Sequence, residues 1–178
     1  MNTSTKQILV LDLIDKMWAR NSWCGETHLQ KSMYFLEDLA GAPMELGFIL
    51  YKHGPYSFDF HDMIGDLRMQ GLIEYEYIPP YGPRIKLSPE GKALLEESEQ
   101  AIADWSGRVE TVAECLADKR VVELEKLGTA LLVFNERKDA SRNDRAKKLH
   151  ELKPHIDEED AKRATEEFDE KILSCFLQ

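Results

Sequence analysis

The sequence predicts a mainly α-helical fold with a small β part, α+β in the broad sense. Three observations lead there. Apolar residues recur at helical spacing over most of the 178 residues. Leu72–Tyr77 and Arg84–Leu87 instead alternate apolar with polar, the period of a half-buried strand. Between those two runs stands Pro79-Pro80-Tyr81-Gly82-Pro83, a rigid turn that makes them a hairpin.

From the start of the chain, Gln7 to Arg20 places Leu9, Leu13, Ile14 and Met17 on one face of a first helix. Asn21-Ser22-Trp23-Cys24-Gly25 breaks it. A second helix, Thr27 to Ala40, buries Leu29, Met33, Leu36 and Ala40 and turns Thr27, Lys31, Tyr34 and Asp38 outward. Leu46–Lys52 reads as a strand or extended segment, and His53-Gly54-Pro55-Tyr56-Ser57 as a turn. Ser57 is a natural N-cap for a third helix reaching Gln70, because its hydroxyl satisfies an orphan amide. Phe60, Met63, Ile64 and Leu67 form that helix's buried stripe, and Gly71 ends it. After the hairpin, Ser88 and Pro89 supply an N-cap and a first helical residue.

The order helix, helix, strand, helix, strand, wing, strand, helix is that of a winged helix-turn-helix, expected over residues 1–92. Residues 93–178 are expected as a helical region packed on that domain or extending it. There Leu94, Leu95, Ala101, Ile102, Trp105, Val109, Val112 and Leu116 hold one apolar face through about seven turns, with Gly107 a candidate interruption. So long a face either wraps back on the first domain or makes a homodimer. Val122–Phe134 reads as another helix, and the charged stretch Asn135–Lys148 as a loop or mobile polar helix. Asp157 caps a last helix that turns Ala161, Ala164, Phe168, Ile172 and Phe176 inward.

No window approaches the roughly 18 consecutive apolar residues of a membrane span. The start, Met1-Asn2-Thr3-Ser4-Thr5-Lys6, lacks the pattern of a secretory signal, so the cytoplasm is expected. Cys24, Cys115 and Cys175 are odd in number and far apart, which suits buried thiols better than disulfides or a metal site. The net charge of −10 lowers the expectation of nucleic-acid binding and favours a basic or neutral protein partner.

Leu29-Gln30-Lys31-Ser32-Met33-Tyr34-Phe35-Leu36, followed by Tyr51-Lys52-His53-Gly54-Pro55-Tyr56-Ser57, resembles the SocA-like (Panacea) and YwgA-like families. Leu124-Glu125-Lys126-Leu127-Gly128-Thr129-Ala130-Leu131 and Leu152-Lys153-Pro154-His155-Ile156-Asp157-Glu158-Glu159 are similar to the YwgA-like branch. The resemblance covers most of the chain in order. It implies an antitoxin-type or regulatory protein of toxin–antitoxin, prophage or phage-defence settings, which neutralises a partner by direct contact.

The candidate partner-binding residues are Gln30, Lys31, Tyr34, His53, Gly54, Pro55, Tyr56 and Ser57. An equal claim is architectural: the tyrosines pack, Gln30 and Lys31 cap backbone, and the turn redirects the chain. Asp59, Asp62 and Asp66 fall at i, i+3 and i+7 on the outer side of the third helix, the side a winged helix aims at DNA. Three carboxylates there oppose phosphates, with only His61 and Arg68 to offset them, and the wing adds only Arg84 and Lys86. They form a solvated face or meet a basic protein. His53 and His61, or His150 and His155, lack the i, i+4 spacing of a helical metal pair and read as surface histidines; Ser57 has no partner arrangement for nucleophilic catalysis. No catalytic residue, cofactor or metal is expected. The leading expectation is a non-catalytic protein that binds, and neutralises or delivers, a partner such as a toxin encoded by a neighbouring gene. The rivals are a DNA-binding regulator and a small-molecule sensor or cryptic enzyme.

Overall fold

The computed structural model describes residues 1–176. Helix α1 (Thr3–Ala19) begins at Asn2, whose side chain accepts the Thr5 N–H. It starts earlier than its apolar stripe, because the cap rather than the stripe sets the first turn. Helix α2 (Glu26–Asp38) follows, then strands β1 (Ile49–Tyr51) and β2 (Gly54–Tyr56), helix α3 (Phe58–Met69), strands β3 (Ile73–Glu76) and β4 (Arg84–Leu87), and helix α4 (Pro89–Glu97). The remainder is helical: α5 (Glu99–Leu116), α6 (Val121–Glu136), α7 (Arg142–Leu152) and α8 (Glu158–Glu167), then a π-helical turn, Phe168–Ile172, and α9 (Leu173–Phe176). The fold is mainly α with a small β part, as the periodicities predicted. No helix among the described residues is long and apolar enough to cross a membrane.

The two sheets are separate antiparallel hairpins. The second, the expected hairpin, pairs Ile73 with Leu87 and Tyr75 with Ile85. It is pinned to α1: the Trp18 indole donates to the Ile85 carbonyl, and the Arg84 guanidinium lies 3.9 Å over the Trp18 ring. The first hairpin corrects the sequence reading. Leu46–Lys52 is strand only from Ile49 to Tyr51, and Gly54–Tyr56, expected as part of a turn, is its partner strand. Leu50 faces Pro55 and Tyr51 faces Gly54, leaving Lys52-His53 as the connection. A Gly-Pro pair reads as a turn from sequence alone, yet Gly54 at φ +84° makes the tight exit and Pro55 sits on an edge strand, where a missing N–H is tolerated.

Capping follows expectation. Ser57 accepts the Phe60 N–H at 2.9 Å, Ser88 the Gly91 N–H at 2.9 Å, and Asp157 the Asp160 N–H at 2.7 Å. Two other expectations fail. The long helix after residue 90 breaks at Ser98, with Gly107 continuing α5 uninterrupted. The break lets α4 lie on β4 while α5 runs along α1 and α2, so the apolar face folds back on the N-terminal half. The polar stretch Asn135–Lys148 is mostly helical, one of its two expected forms, with a short loop at residues 137–141. It enters α7, held by a two-point ion pair from Arg145 to Asp169 at 2.8 Å. Of the thiols only Cys24 is buried; Cys115 and Cys175 are partly exposed. One continuous core joins residues on both sides of position 92, from Leu9 and Phe35 to Leu131 and Phe168.

Gly91 and Gly65 test the packing. A methyl at Gly91 would lie 2.0 Å from the Leu72 carbonyl oxygen, whereas Gly65 has open space in an exposed stretch of α3. Gly91→Ala is expected to cost about 3 kcal/mol through backbone displacement, and Gly65→Ala to gain about 1 kcal/mol through helix propensity. Urea unfolding of the two variants reads the difference; equal effects would discard the close α4–Leu72 packing.

Candidate functional site

Helix α2 is not amphipathic in place. Every residue from His28 to Leu36 is buried. Its first face packs on α1 and α5; the second, expected in water, is covered by α6 and the β1–β2 hairpin. Lys31 and Tyr34 are therefore not on an outward side: they are 2% and 3% exposed. A one-helix projection assigns the second face to solvent because it cannot see α6 arrive from nearly a hundred residues away.

Several of the proposed contact residues are architectural. Gln30 donates through Nε2 to the Ser57 carbonyl and accepts the Ser57 N–H at Oε1, both at 2.9 Å. It thus completes backbone pairing where the hairpin passes into α3. Ser57 donates to the Leu46 carbonyl besides capping α3. Tyr34 packs on Phe48, with ring centroids 5.1 Å apart, and burial pushes its phenol pKa upward.

The remaining residues converge. The stem of Lys31 passes between two glycines: a Cβ on Gly54 would meet its Cε at 3.4 Å, and one on Gly128 its Cδ at 3.9 Å. A Cβ on Gly54 would also lie 3.3 Å from the Glu125 carbonyl, and one on Gly128 3.2 Å from Pro55 Cδ. The two glycines thus let the hairpin close directly onto α6. Behind the hairpin sits Glu125, 6% exposed. Its Oε1 is 3.5 Å from Lys153 Nζ and 3.2 Å from His155 Nε2, and its Oε2 is 3.7 Å from His53 Nδ1. These are ion-pair distances; Oε1 has no aligned hydrogen bond among the described residues. Lys153, also buried, donates to the Tyr51 and Lys52 carbonyls and so holds the hairpin turn. Four segments quoted for the family resemblance, around Lys31, Gly54, Glu125 and Lys153, thus meet at one point. The first two were expected as site; Glu125, Gly128, Lys153 and His155 were legible as motifs but not as neighbours.

No protein-family model matches this chain, and no curated protein matches it. The chemistry of the cluster therefore rests on its own residues. Lys31 opens on a cleft of about 250 Å³, walled by Tyr51, Lys52, His53, Tyr56, Thr27 and Glu26. Among the described residues Lys31 has neither a hydrogen bond nor an ion pair. Burial pulls its pKa down to about 8, opposed by Glu125 and Glu26 and assisted by Lys153. Outside the cleft the Tyr51, Tyr56 and Phe58 rings touch one another, with centroids 5.1–5.9 Å apart. Yet Tyr51 and Phe58 are 53% and 54% exposed. Glu26 holds His61 at 2.6 Å beside them. Asp59, Asp62 and Asp66 are all exposed, on the outer side of α3 as expected. His53, His61 and His155 are exposed, whereas His150 is half-buried with its ring on the Ile156 carbonyl.

Lys31 holds its proton less tightly in the fold than in the unfolded chain, where the ordinary value of 10.5 applies. The cost of its charge is complete below about pH 8 and is relieved as pH rises from there to 10.5, because the unfolded state then binds more protons. Lys31→Met is therefore expected to stabilise the protein by about 1–3 kcal/mol near neutral pH. The gain should shrink steadily towards alkaline pH. Urea titrations at several pH values test this; a loss of stability at neutral pH, or a gain flat with pH, would contradict an unpaired buried ammonium.

Proposed function

We propose that the protein is a non-catalytic binding protein that engages a partner protein through the Tyr51–Tyr56–Phe58 surface and neutralises it, as the resemblance to antitoxin-type proteins implies. The observation that carries this reading is the aromatic cluster itself. Three rings already in mutual contact, on a hairpin fastened to α6 and at the start of α3, lose little freedom on binding. Aromatic side chains also supply a disproportionate share of interface energy. Asp59 and Asp62 flank the surface, and the net charge of −10 repels acidic partners. The complementary partner has an apolar patch with a basic or neutral rim.

We read residues 1–92 as a winged-helix-like domain turned away from nucleic acid, one in which β1 pairs with the extra strand β2 and not with the β3–β4 wing. The exposed carboxylates of α3 occupy the side that would enter the groove. Nearby cations are engaged: Arg68 lies 4.3 Å over the Tyr75 ring, Arg84 stacks on Trp18, and Lys86 is 3.5 Å from Glu74. The basic run entering α7 is paired in part, Arg142 with Asp169 and Glu170, Arg145 with Asp169, and Lys148 with Glu151, while Arg137, Lys138 and Lys147 have no ion pair among the described residues.

Co-expression with each adjacent gene product tests the reading. One such product is expected to co-purify and to be toxic without this protein. The double variant Tyr51→Ala, Phe58→Ala should weaken binding by about 30-fold or more, equivalent to about 2 kcal/mol. Its melting temperature should hold, because both rings are half exposed. Full-strength binding by the double variant, or no bound neighbour at all, would overturn the proposal.

A further inference from the structure

The cleft above Lys31 is not needed for a partner that docks on the outer faces of the aromatic rings. Its floor is an ammonium almost wholly withdrawn from water, with no hydrogen bond or ion pair among the described residues. A buried charge left alone is costly, and folds rarely retain one without a use. Neither nearby carboxylate comes within ion-pair distance of Lys31 among the described residues. Glu125 answers Lys153, His155 and His53, and Glu26 answers His61 at 2.6 Å while lying 3.5 Å from the Tyr56 hydroxyl. Histidines aside, the cleft and the cluster behind it hold three ammonium groups, those of Lys31, Lys52 and Lys153, against the two carboxylates of Glu26 and Glu125.

From this imbalance we infer that the cleft is a binding site for a small carboxylic acid, whose carboxylate pairs with Lys31 and whose planar body lies against Tyr51 and Tyr56. One excess positive charge calls for a monoanion. A phosphate dianion would overshoot that single excess charge while facing Glu26 at the mouth and Glu125 behind. A volume of about 250 Å³ lies below the usual range for drug-sized ligands, so the occupant has roughly ten non-hydrogen atoms. Aromatic walls favour a flat ring over a flexible chain. The larger groove between α1 and α5 makes no comparable demand, since its buried carboxylate, Asp12, already pairs with Lys16 at 2.8 Å. This site stands apart from the partner reading: either can fail without the other.

Calorimetric titration of the full chain with sodium benzoate, benzamide and inorganic phosphate tests the inference. Benzoate is expected to bind saturably at one site, with benzamide and phosphate each weaker by at least about tenfold. Lys31→Met, which keeps the fold, should abolish benzoate binding while leaving partner binding intact. Affinity should also fall as pH rises through about 8, where Lys31 loses its proton. The groups facing Lys31 are Glu26 from its own helix, Tyr51, Lys52, His53 and Tyr56 from the β1–β2 hairpin, Glu125 from α6, and Lys153 from the segment after α7. On the unmutated chain, carbon-13 methyl labels on lysine should show the Lys31 pKa rising when benzoate binds, since a bound anion favours the charged amine. Benzoate bound no better than benzamide, phosphate bound as well as benzoate, unchanged binding to Lys31→Met, a Lys31 pKa unmoved by benzoate, or no saturable benzoate binding would each overturn the site.

Discussion

Enclosing α2 on all sides constrains the rest of this protein. A helix with nine consecutive buried residues has no solvent face on which to leave polar groups, so each must find an internal solution. Gln30 finds one by bonding both backbone groups of Ser57, which also fixes where the hairpin ends and α3 begins. Tyr34 packs its ring on Phe48 and finds Asp38 and Asn135 beside its hydroxyl. Lys31 finds half of one: its stem is cased between Gly54 and Gly128, but its charge is unmatched. That unmatched charge sets the chemistry of the cleft.

The two hairpins look alike in sequence and do different work. The second is bound to the body through Trp18 and Arg84, and it positions α4 by bringing the Leu72 carbonyl against Gly91. Its cations are consumed in that anchoring. The first is clamped from beneath by α6 and by Lys153, whose ammonium holds the carbonyls of Tyr51 and Lys52. With its inner face so fixed, its outer rings are presented rigidly to solvent. A mobile loop carrying the same tyrosines would lose much of their binding energy to ordering.

Charge is sorted in the same way. The acid excess lies outside, on α3 and along the C-terminal helices, where it favours solubility and steers basic surfaces inward. Around the cleft the balance reverses locally, with three ammonium groups against two carboxylates. An outer surface that repels anions therefore sits beside a cleft that accepts one, which narrows the occupant to a small monoanion able to reach past Glu26.

Sequence alone determined what local physics controls. The caps at Ser57, Ser88 and Asp157, the second hairpin, the outward carboxylates of α3 and the inward stripe of the last helices all follow from hydrogen-bonding capacity and periodicity within a few residues. The importance of Gln30-Lys31 and His53-Gly54-Pro55 was also legible, as patterns. Tertiary structure decided the environment of those residues. It put Lys31 and Tyr34 inside by laying α6 over the face that periodicity gives to water, and it turned Gly54–Tyr56 from a turn into a strand by pressing it on Gly128. It also fastened the polar run within α7 through Arg145 and Asp169, and it brought Glu125, Lys153 and His155 around the hairpin. Burial depends on what arrives from elsewhere in the chain. No reading of spacing along one helix contains that information.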